Sequence, residues 1–265
     1  MLHFAMEKIK TAHDTKALAF IPAKGLSQAI KEKNLQLING KSLVLRAFEY
    51  SVNHPNIKTT VLSTESFKIV NECMPNQLSQ VDFESINPGN SIKVTSNVYI
   101  HKRLDKHVTG SSKTMDSILN FLAKAPHEIN ILSHMLLLQP TSPFRTISEF
   151  IDIDLLARLS ECDSVISAKL FDSPHPDKAF EVKSNLALVY SDQTREKLST
   201  PRQELQRLYV FDGAYYYSKL ESLKSQKSFI TTNTKVFIRE GWTTLNIDNN
   251  EDLFLASLIA AKENI

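Results

Sequence analysis

The run Ala17 to Ile21 is five consecutive apolar residues that stop at Pro22. Such a run, short and bounded by a residue that cannot continue a ladder, reads as a strand buried on both faces. A strand of that kind needs helices above and below it, and the following sequence supplies them. From Ser42 to Val52 the residues Leu43, Val44, Ala47, Phe48 and Val52 recur at helical spacing. A β-rich run at Lys58 to Ser63, a helix from Glu65 to about Met74, a strand near Asn97 to His101 and a helix near Lys113 to Lys124 continue the alternation. A second buried strand, Met135 to Gln139, stops at Pro140; a helix from about Ile147 to Leu159 and a strand from Ser164 to Leu170 follow. Strands alternating with helices at this spacing argue for an α/β fold with a mostly parallel sheet, whose ligands bind beyond the carboxyl ends of the strands.

The pattern changes after Leu170. Ser173 to Pro201 is polar, carries Pro174, Pro176 and Pro201, and has only a short apolar run at Leu186 to Tyr190. It reads as an insertion or arm, about 171–207. The α/β pattern resumes at Leu208 to Tyr217, with a strand near Thr243 to Ile247 and a closing helix from Asn249 to about Lys262. The organisation is thus an extension, 1–16, followed by one domain, 17–265.

Composition removes several function classes. Lys plus Arg number 31 against 29 Asp plus Glu, a balance that leaves no footprint for nucleic acid or for a membrane surface. No stretch approaches the roughly 18 apolar residues of a membrane span, and the first residues lack a signal-peptide apolar core. Cys73 and Cys162 alone cannot make a disulfide framework or a Cys-rich zinc site. A reducing, cytoplasmic setting is the expectation.

Four segments carry candidate chemistry. Pro22-Ala23-Lys24-Gly25-Leu26-Ser27, with Lys31, Lys33 and Asn34 after it, is either a loop that offers N–H groups and lysines to phosphate or a solvated basic loop. Gln139-Pro140-Thr141-Ser142-Pro143 puts an amide and two hydroxyls at a strand end, suited to a polyhydroxylated ligand. Its plain alternative is a stiff connection in which Thr141 or Ser142 caps the next helix. Arg202, followed by Gln203 and ahead of Asp212-Gly213, offers either a bidentate grip on a carboxylate or a surface ion pair with Glu204 or another acid. Asn246 and Asp248 share one side of an extended segment and could hold a hard cation, while Asp248 with Glu251 also fits a helix capping box.

In this order the segments resemble the CMP-sialic acid synthetases, or acylneuraminate cytidylyltransferases. IPAKGLSQAIKEKN is similar to the family's nucleotide loop P-A-R/K-G-G-S-K-x-I-x-x-K-N, LSTES to its strand end S-T-D-S, and LLLQPTSPFRT to its L-L-Q-P-T-S-P-L-R-T. Arg103 falls on the Arg of its R-P-x-x-L-A-x-D segment. PRQELQRLYVFDGAYYY resembles R-Q-x-L-P-x-x-Y-x-x-N-G-A-x-Y, and NIDNNEDL resembles D-I-D-T-x-x-D-L. The chain departs from the pattern at Leu26, Gln28, Ala29, Gly110, Val210, Asp212 and Asn246.

The resemblance implies a Rossmann-like nucleotidyltransferase whose arm mediates a homodimer. The implied reaction transfers CMP from CTP to the anomeric hydroxyl of a nine-carbon 2-keto sugar acid of sialic type. Pseudaminic, legionaminic or Kdo-type acids are alternative substrates, and a non-catalytic nucleotide- or sugar-binding relative is an alternative of another class. It further implies nucleotide contacts from Ala23, Lys24, Gly25, Ser27, Lys33, Asn34 and Arg103, with Lys24, Lys33 and Asp248 central to catalysis. Gln139, Lys178, Arg202, Gln203 and Tyr216 are the implied sugar contacts, with Arg202 on the sugar carboxylate, and Asp248 and Asn246 the implied Mg2+ site.

Overall fold

In the computed structural model, which describes residues 17–27, 29–109, 112–171, 175–184, 186–188 and 192–265, strand β1 (Ala17–Pro22) is buried until its last residue. Burial on both faces is possible because β1 lies near the middle of an eight-stranded sheet. Its other strands are β2 (Ile57–Thr64), β3 (Ser91–Lys93), β4 (Val98–Lys102), β5 (His134–Leu137), β6 (Ser164–Leu170), β7 (Tyr209–Lys219) and β8 (Thr234–Ile238), in the order β8-β6-β7-β5-β1-β2-β4-β3. Six strands share one direction. β7 runs antiparallel to β5 and β6, and β3 to β4, so the sheet is mostly parallel as the alternation of runs requires.

Helices cover both faces. α1 (Leu43–Asn53), α2 (Phe67–Cys73) and α4 (Ile147–Ser160) pack on one through Val44, Phe48, Ile69, Phe150 and Ile153. α3 (Thr114–Ala123) and α5 (Leu220–Gln226) pack on the other through Ile118, Phe121, Leu122, Leu220 and Leu223. Burying one such Leu or Phe side chain contributes roughly 1.5–3 kcal/mol. A third cluster joins Ala256 and Ala260 of α6 (Asn250–Glu263) to Ile30, Ile38, Leu43, Phe144 and Ile247. That cluster docks the end of the chain against the loop that follows β1. No helix among the described residues is long and apolar enough to cross a membrane.

Three expectations are corrected. Thr243 to Ile247 is not a sheet strand: Gly241–Thr244 is a 3-10 turn, and the chain after it is pinned to the turn after β5 by the Ile247 N–H donating to the Thr141 carbonyl at 2.8 Å. The sheet's last strand is β8, an edge strand whose Val236 and Ile238 are exposed, which weakens its apolar signature. The cap of α6 is Asn249 with Asp252, both halves of a capping box, rather than Asp248 with Glu251. Likewise α4 is capped by Thr146 with Glu149, not by Thr141 or Ser142. The extension 1–16, Gln28, Gly110 and parts of the arm lie outside the described residues.

Candidate nucleotide site

The segments after the carboxyl ends of β1, β4 and β5 converge on one cavity of about 550 Å³, whose wall includes Lys24, Ser27, Lys33, Asn34, Arg103, Gln139 and Thr141. Lys24, Arg103 and Gln139 lie within two residues of the ends of β1, β4 and β5, and the parallel sheet brings those ends together. Three of these side chains are cationic and no acid stands on the wall, so the cavity suits a polyanion.

The loop after β1 is held at several points. The Ala23 N–H donates to the Ser63 carbonyl at 2.9 Å, the Asn34 amide to the Lys24 carbonyl at 2.8 Å, and the Gly25 N–H to Glu65 Oε1 at 2.6 Å. Gly25 is required there by close approach, since a Cβ would lie 2.9 Å from the Ser66 Cβ. Its N–H is therefore engaged with Glu65. Lys24 Nζ donates to the Thr109 carbonyl at 2.7 Å and the Ser112 hydroxyl at 2.9 Å. Burial holds the Lys24 ammonium below its ordinary pKa, Arg103 adds to that, and Glu65 opposes it.

Arg103, 1% exposed, donates from Nη2 to the His107 carbonyl at 2.7 Å, while its Nε and Nη1 are buried with no hydrogen-bond partner among the described residues. Behind it, His101 accepts at Nδ1 from the Ser63 hydroxyl (2.9 Å) and donates from Nε2 to Asn120 Oδ1 (3.1 Å). Burial pushes that imidazole down to about 4, so it is neutral near pH 7.

Lys33 links the loop to the far end of the chain, donating to the Ile247 carbonyl at 2.8 Å and pairing with Asp248 Oδ1 at 3.5 Å. Asp248 is exposed, and with the helix cap transferred to Asn249 its oxygens are not spent on α6. Asn246 turns its Oδ1 to the Ser142 hydroxyl (3.1 Å) and its amide nitrogen to Asp248 Oδ2 (2.7 Å). In this rotamer the two side chains are hydrogen-bonded to each other, both Asp248 oxygens already have a neighbour, and a cation would have to use their remaining lone pairs. No group of three or more His, Cys, Asp or Glu side chains among the described residues forms a cation cage. Mg2+ does not need one, because one carboxylate plus substrate phosphates commonly holds it; Asp248 fits that use.

Gln139 is set from behind by Arg145, whose Nη2 donates to the Gln139 carbonyl at 2.7 Å and whose Nε donates to the Ala214 carbonyl at 2.9 Å. Facing it is Gly213 at φ +81°, where a Cβ would lie 2.9 Å from Ser142 Oγ and 3.0 Å from Gln139 Oε1. Gly213→Ala is expected to cost at least the roughly 1–2 kcal/mol of a left-handed backbone, read by denaturant unfolding, because the methyl must also displace Gln139 or Ser142.

The other implied sugar residues stand elsewhere. Arg202 and Gln203 line a separate cavity of about 340 Å³ with Phe171, His175 and Arg207. Lys178 spends its ammonium on the carbonyls of Leu198 (2.7 Å) and Thr200. Tyr216 is half-buried between the rings of Phe211 and Phe229. Asp212, which departs from the resembled pattern, is buried and pairs with Arg239 at 2.7 Å. Glu65, His101 and Arg239 carry no functional signal in the sequence; LSTES sets Glu65 at a strand end without indicating its contact with Gly25.

No family model matches the chain. The fold is that of cytidylyltransferases. The chain superposes with a TM-score of 0.58 on a CMP:2-keto-3-deoxy-manno-octonic acid synthetase complexed with CTP, at 15% identity over 94% of this chain and 99% of that one. It superposes equally, at 0.58, on 4-diphosphocytidyl-2C-methyl-D-erythritol synthase from Anaerococcus prevotii, at 14% identity over 95% and 99%. By sequence it is similar to the N-acylneuraminate cytidylyltransferase of Streptococcus agalactiae serotype V, 24% identical over 258 residues, 94% of this chain and 56% of that protein. It is also similar to the CMP-N,N'-diacetyllegionaminic acid synthase of Legionella pneumophila, 25% identical over 222 residues, 82% of this chain and 84% of that protein. The motif resemblance to the CMP-sialic acid synthetases is thus matched by relatives along most of the chain, which spans about half the length of the streptococcal ones.

Proposed function

We propose that the chain is a cytidylyltransferase that transfers CMP from CTP to the anomeric hydroxyl of a nonulosonic acid and releases pyrophosphate. The observation that carries this reading is the trio Lys24, Lys33 and Arg103 lining one cavity together with Gln139, beyond the carboxyl ends of parallel strands. The anomeric oxygen forms a bond to the α-phosphorus, the bond from that phosphorus to its bridging oxygen breaks, and the hydroxyl proton is lost. Charge builds on the departing pyrophosphate, so positioning and fixed cations supply most of the catalysis. Lys24 and Arg103 bind the triphosphate, and Lys33 orients Asp248. Mg2+, held by Asp248, would add further neutralisation of the phosphates. Gln139 orients the sugar.

The substrate reading follows the relatives: an N-acylneuraminate by the streptococcal proteins, or a diacetyllegionaminic acid by the Legionella protein, which matches over more of its own length. Pyrophosphate release with CTP, Mg2+ and a panel of 2-keto sugar acids tests this directly. Turnover is expected with CTP and one nonulosonic acid, well above that with ATP, GTP or UTP. Equal turnover with all four nucleotides overturns the reading.

The proposal includes a homodimer. Lys178, Arg202 and Gln203 lie off the cavity wall of their own chain, and Phe180, Val182, Tyr209, Val210 and Phe211 around them are exposed. A second copy would cover that apolar surface and present the arm to the neighbouring cavity. Light scattering at micromolar concentration is expected to give twice the mass of one chain, and a monomer would refute it.

A further inference from the structure

Glu65 lies just past β2, off the cavity wall, and nothing in the proposed chemistry uses it. Its Oε1 accepts the Gly25 N–H at 2.6 Å, and its Oε2 is buried with no hydrogen-bond partner among the described residues. The Gly25 Cα faces Ser66 so closely that no larger residue fits. The loop is therefore shaped to this carboxylate, and the carboxylate is oversized for the one bond it makes. Lys24 and Arg103 both lose their ease of protonation to burial, and Glu65 is the acid that acts on both in the opposite direction.

We propose that Glu65 is the positioning residue of the nucleotide loop, fixing the Gly25 amide through Oε1 and countering the paired cations Lys24 and Arg103 from behind the cavity wall. It touches no substrate. The mechanical part aims Lys24, because Asn34 holds the Lys24 carbonyl at the other end of the same peptide unit whose N–H Glu65 accepts. The electrostatic part allows two cations to share one wall before a polyanion arrives. The inference deepens the reading that this cavity takes CTP and rests on it for its second half only.

Two variants separate the parts. Glu65→Gln keeps an acceptor for Gly25 and removes the charge; Glu65→Ala removes both. In the protein without nucleotide, hydrogen exchange of the Gly25 amide is expected to be about tenfold or more faster in Glu65→Ala and close to wild type in Glu65→Gln. Equal Gly25 exchange in wild type and Glu65→Ala overturns the proposal. Calorimetric titration with CTP is expected to show about a tenfold loss of affinity in Glu65→Ala. In Glu65→Gln the alkaline limb of the affinity–pH profile should move to lower pH. Lys24 then faces Arg103 with no acid opposing it, and it deprotonates earlier. A purely structural role would leave that limb in place, and finding it in place overturns the electrostatic half. Should wild type fail to bind CTP while the exchange pattern holds, the nucleotide reading fails and the loop-positioning assignment of Glu65 stands.

Discussion

Arg239→Met is expected to lower the free energy of unfolding by about 3–5 kcal/mol, the usual cost of breaking one side of a buried ion pair. Arg239 is 3% exposed and sits where three segments meet. It donates from Nη1 to Asp212 Oδ2 and from Nε to Glu149 Oε1, both at 2.7 Å, and from Nη2 to the Phe144 carbonyl at 2.6 Å, with its plane 5.3 Å from the Tyr215 ring centre. Burial opposes the charged guanidinium, and Glu149 and Asp212 more than offset it, so its pKa is raised. Methionine keeps much of the stem and removes the charge, leaving Asp212, 2% exposed, without a cation. Adding Asp212→Asn should recover part of the loss, because a neutral amide beside a neutral thioether no longer buries an unpaired charge. A double-mutant cycle in denaturant with additive losses would show that the two side chains do not act as a pair. The same geometry accounts for Asp212 where the resembled pattern has Asn: the acid answers Arg239 inside the protein and does not face the nucleotide cavity.

Most of the architecture was legible because the central strands are short apolar runs that end in proline or a polar loop. Ala17–Pro22 and His134–Leu137 declare themselves that way, and Ser164–Leu170 matches its expected bounds. Thr234–Ile238 did not, since an edge strand has only one neighbour, and half of it faces solvent. Of the candidate site, Lys24 and Gln139 were readable from position, because each follows an apolar run and a parallel sheet collects such ends, whereas Arg103 came only from the family resemblance. Residues defined by partners far along the chain were not readable. Glu65 acts on Gly25 forty positions away, and Arg239 on Glu149 ninety positions away. The cap of α6 shows the finer limit. Asp248 with Glu251 and Asn249 with Asp252 satisfy the same pattern one residue apart, and only the packing of Ala256 and Ala260 against Ile38 and Ile247 fixes which is used. That single step matters to the chemistry, because it leaves the Asp248 carboxylate to Lys33 and Asn246, and so to the cation proposed for it.

Arg103→Met should separate stability from function in the opposite sense to Arg239→Met. The Arg103 guanidinium is buried, yet among the described residues only Nη2 has a partner, and burial holds its pKa below the ordinary value with Glu65 opposing the shift. Two buried charged donors without acceptors are costly, each on the scale of about 1–3 kcal/mol. Replacing them with an apolar side chain of similar length should therefore leave the nucleotide-free protein as stable as before or more so. CTP affinity should fall sharply. If phosphate oxygens accept from both free donors, losing these charge-assisted bonds removes roughly 3 kcal/mol or more, about a hundredfold in the dissociation constant. Calorimetry with CTP and denaturant unfolding of the same sample measure the two quantities independently. A variant that unfolds more easily and binds CTP as tightly as wild type would make Arg103 a brace for the His107 turn and remove it from the nucleotide site. A variant that is stable and no longer holds CTP would show that its unpartnered donors are kept, at a cost to the resting protein, for the triphosphate.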